Sequence, residues 1–365
     1  MKKRDFIIFI LVILSAFIVY LVAKRGNEKD SGKVKVGAIL PLTGNASLIG
    51  VQIRNGLLLA AENHKDNIDL IIEDSQAEPQ KAISIYKKLK SLENISIFIP
   101  TFSGVTNAIS PLSISPNELL FATSVSASNI TKQNSNLFRI FVNAIGDADR
   151  MAKFASDSLK LSRIAIVCVN DDFGKDYSSV FSKVFSEQNG KIAFIEFFDK
   201  SEVDFKSLVA KVKSRSDDFD AVYILAYDKN FITLLNRYKE YKINKTILSI
   251  ATIGQENVVK EIDKIKSELP AIYFTNTNFN SVSNQNSDKI EFVNNYKSKF
   301  NLAPNYFAAF AYDLLNILGQ SSVNTKESQR IKENILKSKF YGVMGEINFN
   351  EDRDAQFPMV IERLN

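Results

Sequence analysis

The chain has 365 residues, a length that predicts about two domains, each with its own buried core. With 45% hydrophobic and 24% charged residues, 14 Gly, 8 Pro and no Trp, the composition argues against disordered, collagen-like and multi-span membrane proteins. The net charge is +5, but residues 1–33 hold seven basic and three acidic groups and the remainder is nearly neutral, so no basic face for nucleic acid is expected.

The first element is an uncharged, almost wholly apolar stretch of 18 residues, Phe6–Ala23, with Lys and Arg on both sides. As a helix it crosses most of a bilayer core, which is typical of a membrane segment. Because no clear cleavage site or lipid-anchor cysteine accompanies it, we expect an uncleaved signal anchor, with a cleaved signal as the alternative. Positive charge resists translocation, so basic Met1–Arg4 is expected in the cytoplasm and the chain after about Lys33 outside it.

From Val34 onward, apolar runs of strand length alternate with segments of helical period. Their continuous apolarity indicates parallel strands in sheets that helices cover on both faces. The predicted strands are Val34–Leu40, Ile68–Asp74, Ile95–Pro100, Leu119–Thr123, Arg163–Val169, Ile192–Phe198, Ala221–Tyr227, Ile247–Ile250 and Ala271–Phe274. The predicted helices between them are Val51–His64, Ala77–Leu92, Ala148–Leu161, Asp176–Gln188, Asp204–Ser214, Phe231–Tyr241 and Gln255–Ile265.

The pattern changes after Phe274. Three successive helices and two strands are predicted there: Lys289–Phe300, Tyr306–Leu318, Glu327–Lys337, Gly345–Phe349 and Met359–Arg363. The whole pattern predicts an α/β protein with two doubly wound sheets. In such sheets ligands bind beyond the carboxyl ends of the strands, so function is expected in the loops that follow them.

The loop Thr101–Thr106 places a hydroxyl and a glycine at the start of a helix directly after a strand. Ser103 is expected to cap that helix, and the free amides near Gly104 form a seat for a carboxylate or another anion. The neighbouring loop Thr123–Asn129 adds further hydroxyls, although capping and turn formation alone would also explain both loops. The earlier loop Pro41–Gly50 has two glycines but no dinucleotide or triphosphate motif, so a ligand-facing loop and a plain turn are equally open.

The sequence gives little support for a catalytic or metal-binding site. The chain has one cysteine, Cys168, and one histidine, His64, too few for zinc sites, Cys–His dyads or Ser–His–acid triads. Cys168 lies in a buried-strand pattern and is predicted to be a core thiol. The two acids of Asn170–Gly174 are interpreted as a turn and helix cap in preference to a metal site. We therefore expect no enzyme activity, cofactor or metal.

In order and spacing, four segments resemble the type I periplasmic solute-binding proteins, in particular the leucine/isoleucine/valine-binding branch that serves ABC importers. The segments are Val36–Gly44, Arg163–Gly174, Phe310–Asp313 and Tyr341–Phe349, and the resemblance extends from Val34 to the C-terminus. It implies two Rossmann-like α/β lobes, joined by three crossovers, that close on a small solute.

The resemblance also implies where each lobe begins and ends. Crossovers are expected near Asn143–Asp147, Phe274–Asn278 and Lys339–Gly345. Residues 1–33 then form the transmembrane anchor and linker, residues 34–145 plus 276–340 the first lobe, and residues 146–275 plus 341–365 the second.

By the same resemblance, Ser103, with Gly104 beside it, and Ser126 are expected to hold a ligand carboxylate, and Phe173 and Tyr227 to close over the ligand. Thr252 stands where amino-acid-binding members carry an acid that pairs with the ligand ammonium. A buried ammonium without a counter-charge is costly, so an ordinary amino acid requires a substitute acid. The candidate substitutes are Glu256, Asp228 and Asp172.

The predicted function is that of a membrane-anchored, extracytoplasmic solute-binding component of an ABC importer. Its ligand is expected to be a small amino-acid-like or carboxylate solute, and its partners the permease subunits and, through the N-terminal helix, the membrane. A sensory ectodomain that acts through a membrane partner is the alternative.

Overall fold

The computed structural model describes residues 32–364 except 45, 278 and 280–285. The predicted membrane segment Phe6–Ala23 lies outside the described residues. Within the described part, no helix has the length and apolar character needed to cross a membrane.

The strands are β1 Val34–Leu40, β2 Ile68–Asp74, β3 Ile97–Pro100, β4 Leu119–Thr123, β5 Leu137–Ile140, β6 Arg163–Val169, β7 Lys191–Phe198, β8 Ala221–Leu225, β9 Thr246–Ser249, β10 Ile272–Thr277, β11 Phe340–Gly342, β12 Gly345–Phe349, β13 Ala355–Gln356 and β14 Met359–Arg363. The α-helices are α1 Ser47–Asn63, α2 Pro79–Leu92, α3 Ser103–Ile109, α4 Ala144–Asp157, α5 Asp172–Glu187, α6 Lys206–Ser214, α7 Asp228–Glu240, α8 Glu256–Asp263, α9 Ser287–Phe300, α10 Tyr306–Ser321 and α11 Ser328–Lys337.

Two main sheets organise these elements. The first has the order β2-β1-β3-β4-β5 with every pair parallel. The second has the order β14-β10-β9-β8-β6-β7, in which only β14 runs antiparallel to its neighbour. Parallel strands point their carboxyl ends toward one edge, so each sheet gathers its post-strand loops there.

Helices cover both faces of each sheet, which explains the continuous apolarity of the strands. In the first sheet, α1 and α10 pack on one face, while α2 and α3 pack on the other. In the second sheet, α4 and α5 cover one face, while α6, α7 and α8 cover the other. Cys168 lies fully buried in one of these cores, and burial raises the pKa of its thiol to about 12, so the predicted core thiol is confirmed.

The C-terminal segment departs from the expected lobe boundary. Strands β11, β12 and β13 form a small antiparallel sheet. Its apolar side chains, including Phe340, Met344 and Ile347, join the core of the first sheet, and only β14 pairs within the second sheet. Residues 341–356, which were expected in the second lobe, thus place their buried apolar side chains in the core of the first sheet, beside α10 and α11.

The chain passes between the two sheets at three places. The first passage lies at residues 141–143, between β5 and α4. The second follows Thr277, because Phe279 already packs in the core of the first sheet. The third lies at residues 357–358, between β13 and β14. The segment Lys339–Gly345, where the third crossover was expected, forms part of a hairpin that packs on the core of the first sheet.

Candidate ligand-binding site

Ser103 lies at the carboxyl edge of the first sheet, directly after β3. Thr101 and Thr123 form a parallel β-bridge, and the amide of Phe102 donates to the carbonyl of Thr123 at 3.4 Å. The strand direction therefore continues through Thr101, and the chain turns at Phe102, which occupies the cap position of α3 with a φ of +72°. No side chain caps this helix, so the predicted capping role of Ser103 is wrong; Ser103 is its first helical residue, half-buried, with Gly104 exposed beside it.

The loop after β4 lies next to this turn and carries Ser126. Ser124, two residues earlier, has a φ of +56°, and Ser126 is half-buried. The carbonyl oxygen of Ser126 accepts a hydrogen bond from the amide of Ala144 at 3.2 Å. Positive φ at a non-glycine residue is strained by about 1–3 kcal/mol, and such strain concentrates at functional sites. Two adjacent loops thus carry strained residues within two positions of Ser103 and Ser126.

Several hydroxyl groups around these loops are buried without a hydrogen-bond partner in the described part of the chain. They belong to Thr101, Thr106, Thr123 and Ser124. Buried hydroxyls in native proteins are normally hydrogen-bonded to protein, water or ligand. This edge of the first sheet therefore offers uncharged hydrogen-bonding groups.

At the second sheet, Phe173 and Tyr227 form an aromatic surface. Their ring centroids are 5.4 Å apart, and Tyr227 is 42% exposed. The Tyr227 hydroxyl donates to Oδ2 of Asp171 at 2.7 Å, while Oδ1 of Asp171 accepts from the amide of Gly174 at 3.0 Å and caps α5. The predicted turn and helix cap at Asn170–Gly174 is thus confirmed. Burial and the Asp171 carboxylate raise the pKa of Tyr227, which keeps its hydroxyl protonated.

Thr252 lies in a short 3-10 turn after β9, on the same edge. Its hydroxyl is buried and has no hydrogen-bond partner among the described residues. Asn276 at the end of β10 is fully buried, and its amide nitrogen donates to Glu362 at 2.8 Å. Among the proposed substitute acids, Asp172 is exposed on the first turn of α5, and the side chains of Asp228 and Glu256 lie outside the description.

A hydrogen bond joins the carboxyl edge of the first sheet to that of the second. The amide of Ser128, in the loop after β4, donates to Oδ2 of Asp176 on α5 at 2.7 Å. Sequence analysis did not identify Asp176, because its position in a helix gives no sign of which loop it faces. The contact brings the loop Thr123–Asn129 of the first sheet against α5, whose first turn carries Phe173.

A second acid that sequence analysis missed is Asp147, which is 3% exposed near the first passage between the sheets. Its Oδ2 accepts a hydrogen bond from the hydroxyl of Tyr177 at 3.1 Å. Burial raises the pKa of Asp147 to about 6. In the described residues, no group of three or more His, Cys, Asp or Glu side chains is arranged to hold a metal ion.

Asp74, at the end of β2, holds the loop after β1 in place through hydrogen bonds to its carboxylate. Its Oδ1 accepts from the amides of Leu42 and Gln76 at 2.8 and 3.0 Å, and its Oδ2 accepts from the hydroxyl of Thr43. Burial works to raise the pKa of Asp74, but the hydrogen bonds from Thr43, Gln76 and Leu42 outweigh it and lower the pKa to about 2. These amides serve a turn, which favours the plain-turn interpretation for this part of Pro41–Gly50.

Asp74→Asn is expected to destabilise the protein at pH 7 by about 1 kcal/mol, after allowance for solvent screening. Because the folded-state pKa of Asp74 is depressed, its contribution is complete above about pH 4 and is lost as the pH falls through about 2. Urea unfolding of both proteins between pH 2 and pH 7 measures this difference. A difference in stability that does not shrink in acid would contradict the assignment.

A cavity of about 230 Å³ lies apart from these loops, between α9, α10 and the small sheet. Asp313 lines it, and its carboxylate accepts hydrogen bonds from the amides of Val343 and Met344 at 2.9 and 2.8 Å. Burial raises the pKa of Asp313 to about 7. None of the predicted ligand-binding residues borders this cavity, and Asp313 fixes the turn between β11 and β12.

Comparison with known proteins gives a consistent result. Residues 33–365 match a family model described as periplasmic binding protein. The chain is 25% identical over 349 residues to a Leu/Ile/Val-binding protein homolog 2 of Brucella abortus, covering 92% of this chain and 90% of the relative.

Solved structures share the fold. The branched-chain amino acid transporter substrate-binding protein of Streptococcus pneumoniae, in complex with isoleucine, matches with a TM-score of 0.78 and 23% identity over 90% of this chain and 95% of its own. A solute-binding protein of an ABC transporter from Rhodopseudomonas palustris, in complex with 3,4-dihydroxybenzoic acid, matches with a TM-score of 0.78 and 17% identity over 91% and 93%. Proteins of this fold therefore include binders of quite different carboxylates.

Proposed function

The chain belongs to the periplasmic binding protein family, and from this premise we propose that it is the extracytoplasmic solute-binding component of an ABC importer. Its fold is the type I form, with two parallel-stranded α/β units. The observation that carries the proposal is the pair of adjacent loops after β3 and β4, which place the half-buried Ser103 and Ser126 at the carboxyl edge of the first sheet. Such an edge is where ligands bind in α/β folds.

The proposed solute is a small carboxylate, with or without an amino group. Ser103 and Ser126, with the amide region of Gly104, are assigned to its carboxylate, and Phe173 and Tyr227 to its apolar or aromatic part. The hydroxyl groups around the serines suit an anion that is held by hydrogen bonds.

Thr252 is assigned to the end of the solute opposite the carboxylate. Its buried hydroxyl can bond to a polar neutral group but does not neutralise an ammonium. An aromatic or deaminated carboxylate is therefore favoured over an ordinary amino acid. Relatives of this fold crystallised with isoleucine and with 3,4-dihydroxybenzoic acid represent these two alternatives.

We assign residues 34–143 and 279–357 to the first lobe and residues 144–277 and 358–364 to the second, with a closing motion about the three passages. The segment Phe6–Ala23 is assigned as a membrane anchor on its sequence alone. Recovery of the full chain in the membrane fraction, and of a chain without residues 1–33 in the soluble fraction, would support that anchor. The protein is assigned no catalytic activity.

The binding proposal is tested by a thermal-shift screen of the full chain in detergent. The panel holds isoleucine, leucine and valine, the deaminated acids of these three, benzoate, 4-hydroxybenzoate and 3,4-dihydroxybenzoate. A ligand at 100 times its Kd adds about 2.7 kcal/mol of stability. Hits are then measured by calorimetry in Ser103→Ala and Ser126→Ala, each expected to weaken binding by about tenfold or more because a hydrogen bond to a charged group is lost.

Ser84→Ala is the matched control, since Ser84 lies exposed on α2 and its hydroxyl bonds to the carbonyl of Gln80. It should leave the Kd unchanged. Stabilisation by amino acids alone would show that another group pairs with the ammonium and would overturn the assignment of Thr252. If no compound in the panel stabilises the protein, the carboxylate proposal fails, and the sensory alternative gains support.

A further inference from the structure

Arg139 is a fully buried cation in the short edge strand β5, and a carboxylate distant in sequence satisfies it. Its Nε donates to Oδ1 of Asp354 at 2.6 Å, and its Nη2 donates to Oδ2 of the same residue at 2.8 Å. This two-point pairing fixes both the position and the plane of the guanidinium.

The remaining nitrogen of Arg139 faces the loop after β4. Nη1 donates to the carbonyl oxygens of Val125 at 3.4 Å and Ala127 at 2.5 Å. These are the residues immediately before and after Ser126. With the bond from the Ala144 amide to the Ser126 carbonyl, three consecutive carbonyls of this loop are hydrogen-bonded.

Asp354 is itself held in place by a turn. Its amide donates to Oδ1 of Asn350 at 3.0 Å, and the amide of Arg139 donates to the carbonyl of Arg353 at 3.0 Å. The Arg353 side chain reaches the carbonyl of Thr131 at 2.7 Å. The acidic segment Asn350–Asp354 therefore holds β5 in place and, through Arg139, also the loop that carries Ser126.

A role in stability alone does not require this arrangement. Burying two charges costs about as much as their attraction returns, and well-packed apolar residues of similar size often replace such a pair without loss of stability. What apolar residues cannot reproduce is the pair of hydrogen bonds to the carbonyls on either side of Ser126.

We propose that Arg139, clamped by Asp354, is a positioning residue that fixes the Ser126 loop for solute binding. The part of this inference that concerns solute affinity rests on the proposed function. The part that concerns the loop does not, because it is expected in the solute-free protein as well.

The test compares the full-length protein with the double variant Arg139→Met/Asp354→Leu, since Arg139→Met alone would leave a buried acid unpaired and could prevent folding. The comparison variant is Arg163→Met/Asp220→Leu, which removes a more exposed ion pair of the same residue types (Nη2 to Oδ1, 2.8 Å) on the second sheet. Hydrogen exchange read by mass spectrometry follows the peptide containing Ala144 without solute, and calorimetry gives the Kd for any compound from the panel that binds.

In Arg139→Met/Asp354→Leu we expect the Ala144 amide to exchange about tenfold faster than in the parent protein, while exchange in β4 is unchanged. The Kd for the solute is expected to rise about tenfold. Ser126→Ala should then have little further effect on the Kd, because the two changes act on one contact. Unchanged exchange at Ala144, or faster exchange with an unchanged Kd, would overturn the positioning role. If the parent protein binds no panel compound, the proposed function fails, while exchange at Ala144 still decides whether Arg139 fixes the loop.

Discussion

Gly56→Ala is expected to destabilise the protein by about 3 kcal/mol or more, although alanine is the better helix former. Gly56 lies buried in α1, where this helix packs against Ala308 of α10. A Cβ atom there would overlap the backbone carbonyl of Ala308. A backbone carbonyl within a helix cannot turn aside as a side chain can, so the two helices must separate and the core of the first sheet must open.

Urea unfolding measures this change in the free energy of unfolding. Gly146→Ala is the matched control, because Gly146 is also helical, in α4, and a Cβ there would meet only Oδ1 of Asn143 at 3.5 Å, an ordinary contact. That substitution is expected to be neutral or to stabilise by up to about 1 kcal/mol. Equal effects of the two substitutions would show that α1 and α10 are not held together at Gly56.

The sequence predicted the strands of both sheets well wherever the apolar run is unbroken. The bounds of Val34–Leu40, Ile68–Asp74 and Arg163–Val169 agree with the structure residue for residue. Strand β5 was missed because it has four residues and Arg139 interrupts its apolar pattern. The guanidinium is buried only because Asp354, 215 positions along the chain, pairs with it, and single-sequence patterns do not show such a partner.

The core that covers the C-terminal strands could not be predicted from the sequence for a related reason. The apolar residues of the small sheet, such as Met344 and Ile347, indicate that one face is buried but not which core covers it. The loops of Ser103 and Ser126 could be located from the sequence, because ligands bind at the carboxyl ends of parallel strands. The contact between Ser128 and Asp176 could not, because it depends on how two separate sheets meet.

Phe310→Ala is expected to cost about 3–5 kcal/mol of stability and to loosen two of the three passages between the lobes. Phe310 is fully buried on α10. Its ring centroid lies 5.2 Å from that of Phe141, in the first passage, and 4.9 Å from that of Phe357, in the third. Removing the ring leaves a cavity that both segments border, so their positions are no longer fixed by a common contact.

Phe181→Ala provides the comparison that separates these two effects. Phe181 is also fully buried, but it packs on Tyr223 and Phe185 in the core of the second sheet, at centroid distances of 4.4 and 5.5 Å. Both variants should lose similar stability by urea unfolding. At matched global stability, only Phe310→Ala should accelerate amide hydrogen exchange in residues 141–143 and at Phe357. Equal exchange of these segments in the two variants would mean that the passages are held by their own backbone contacts, and closure of the lobes would then not depend on Phe310.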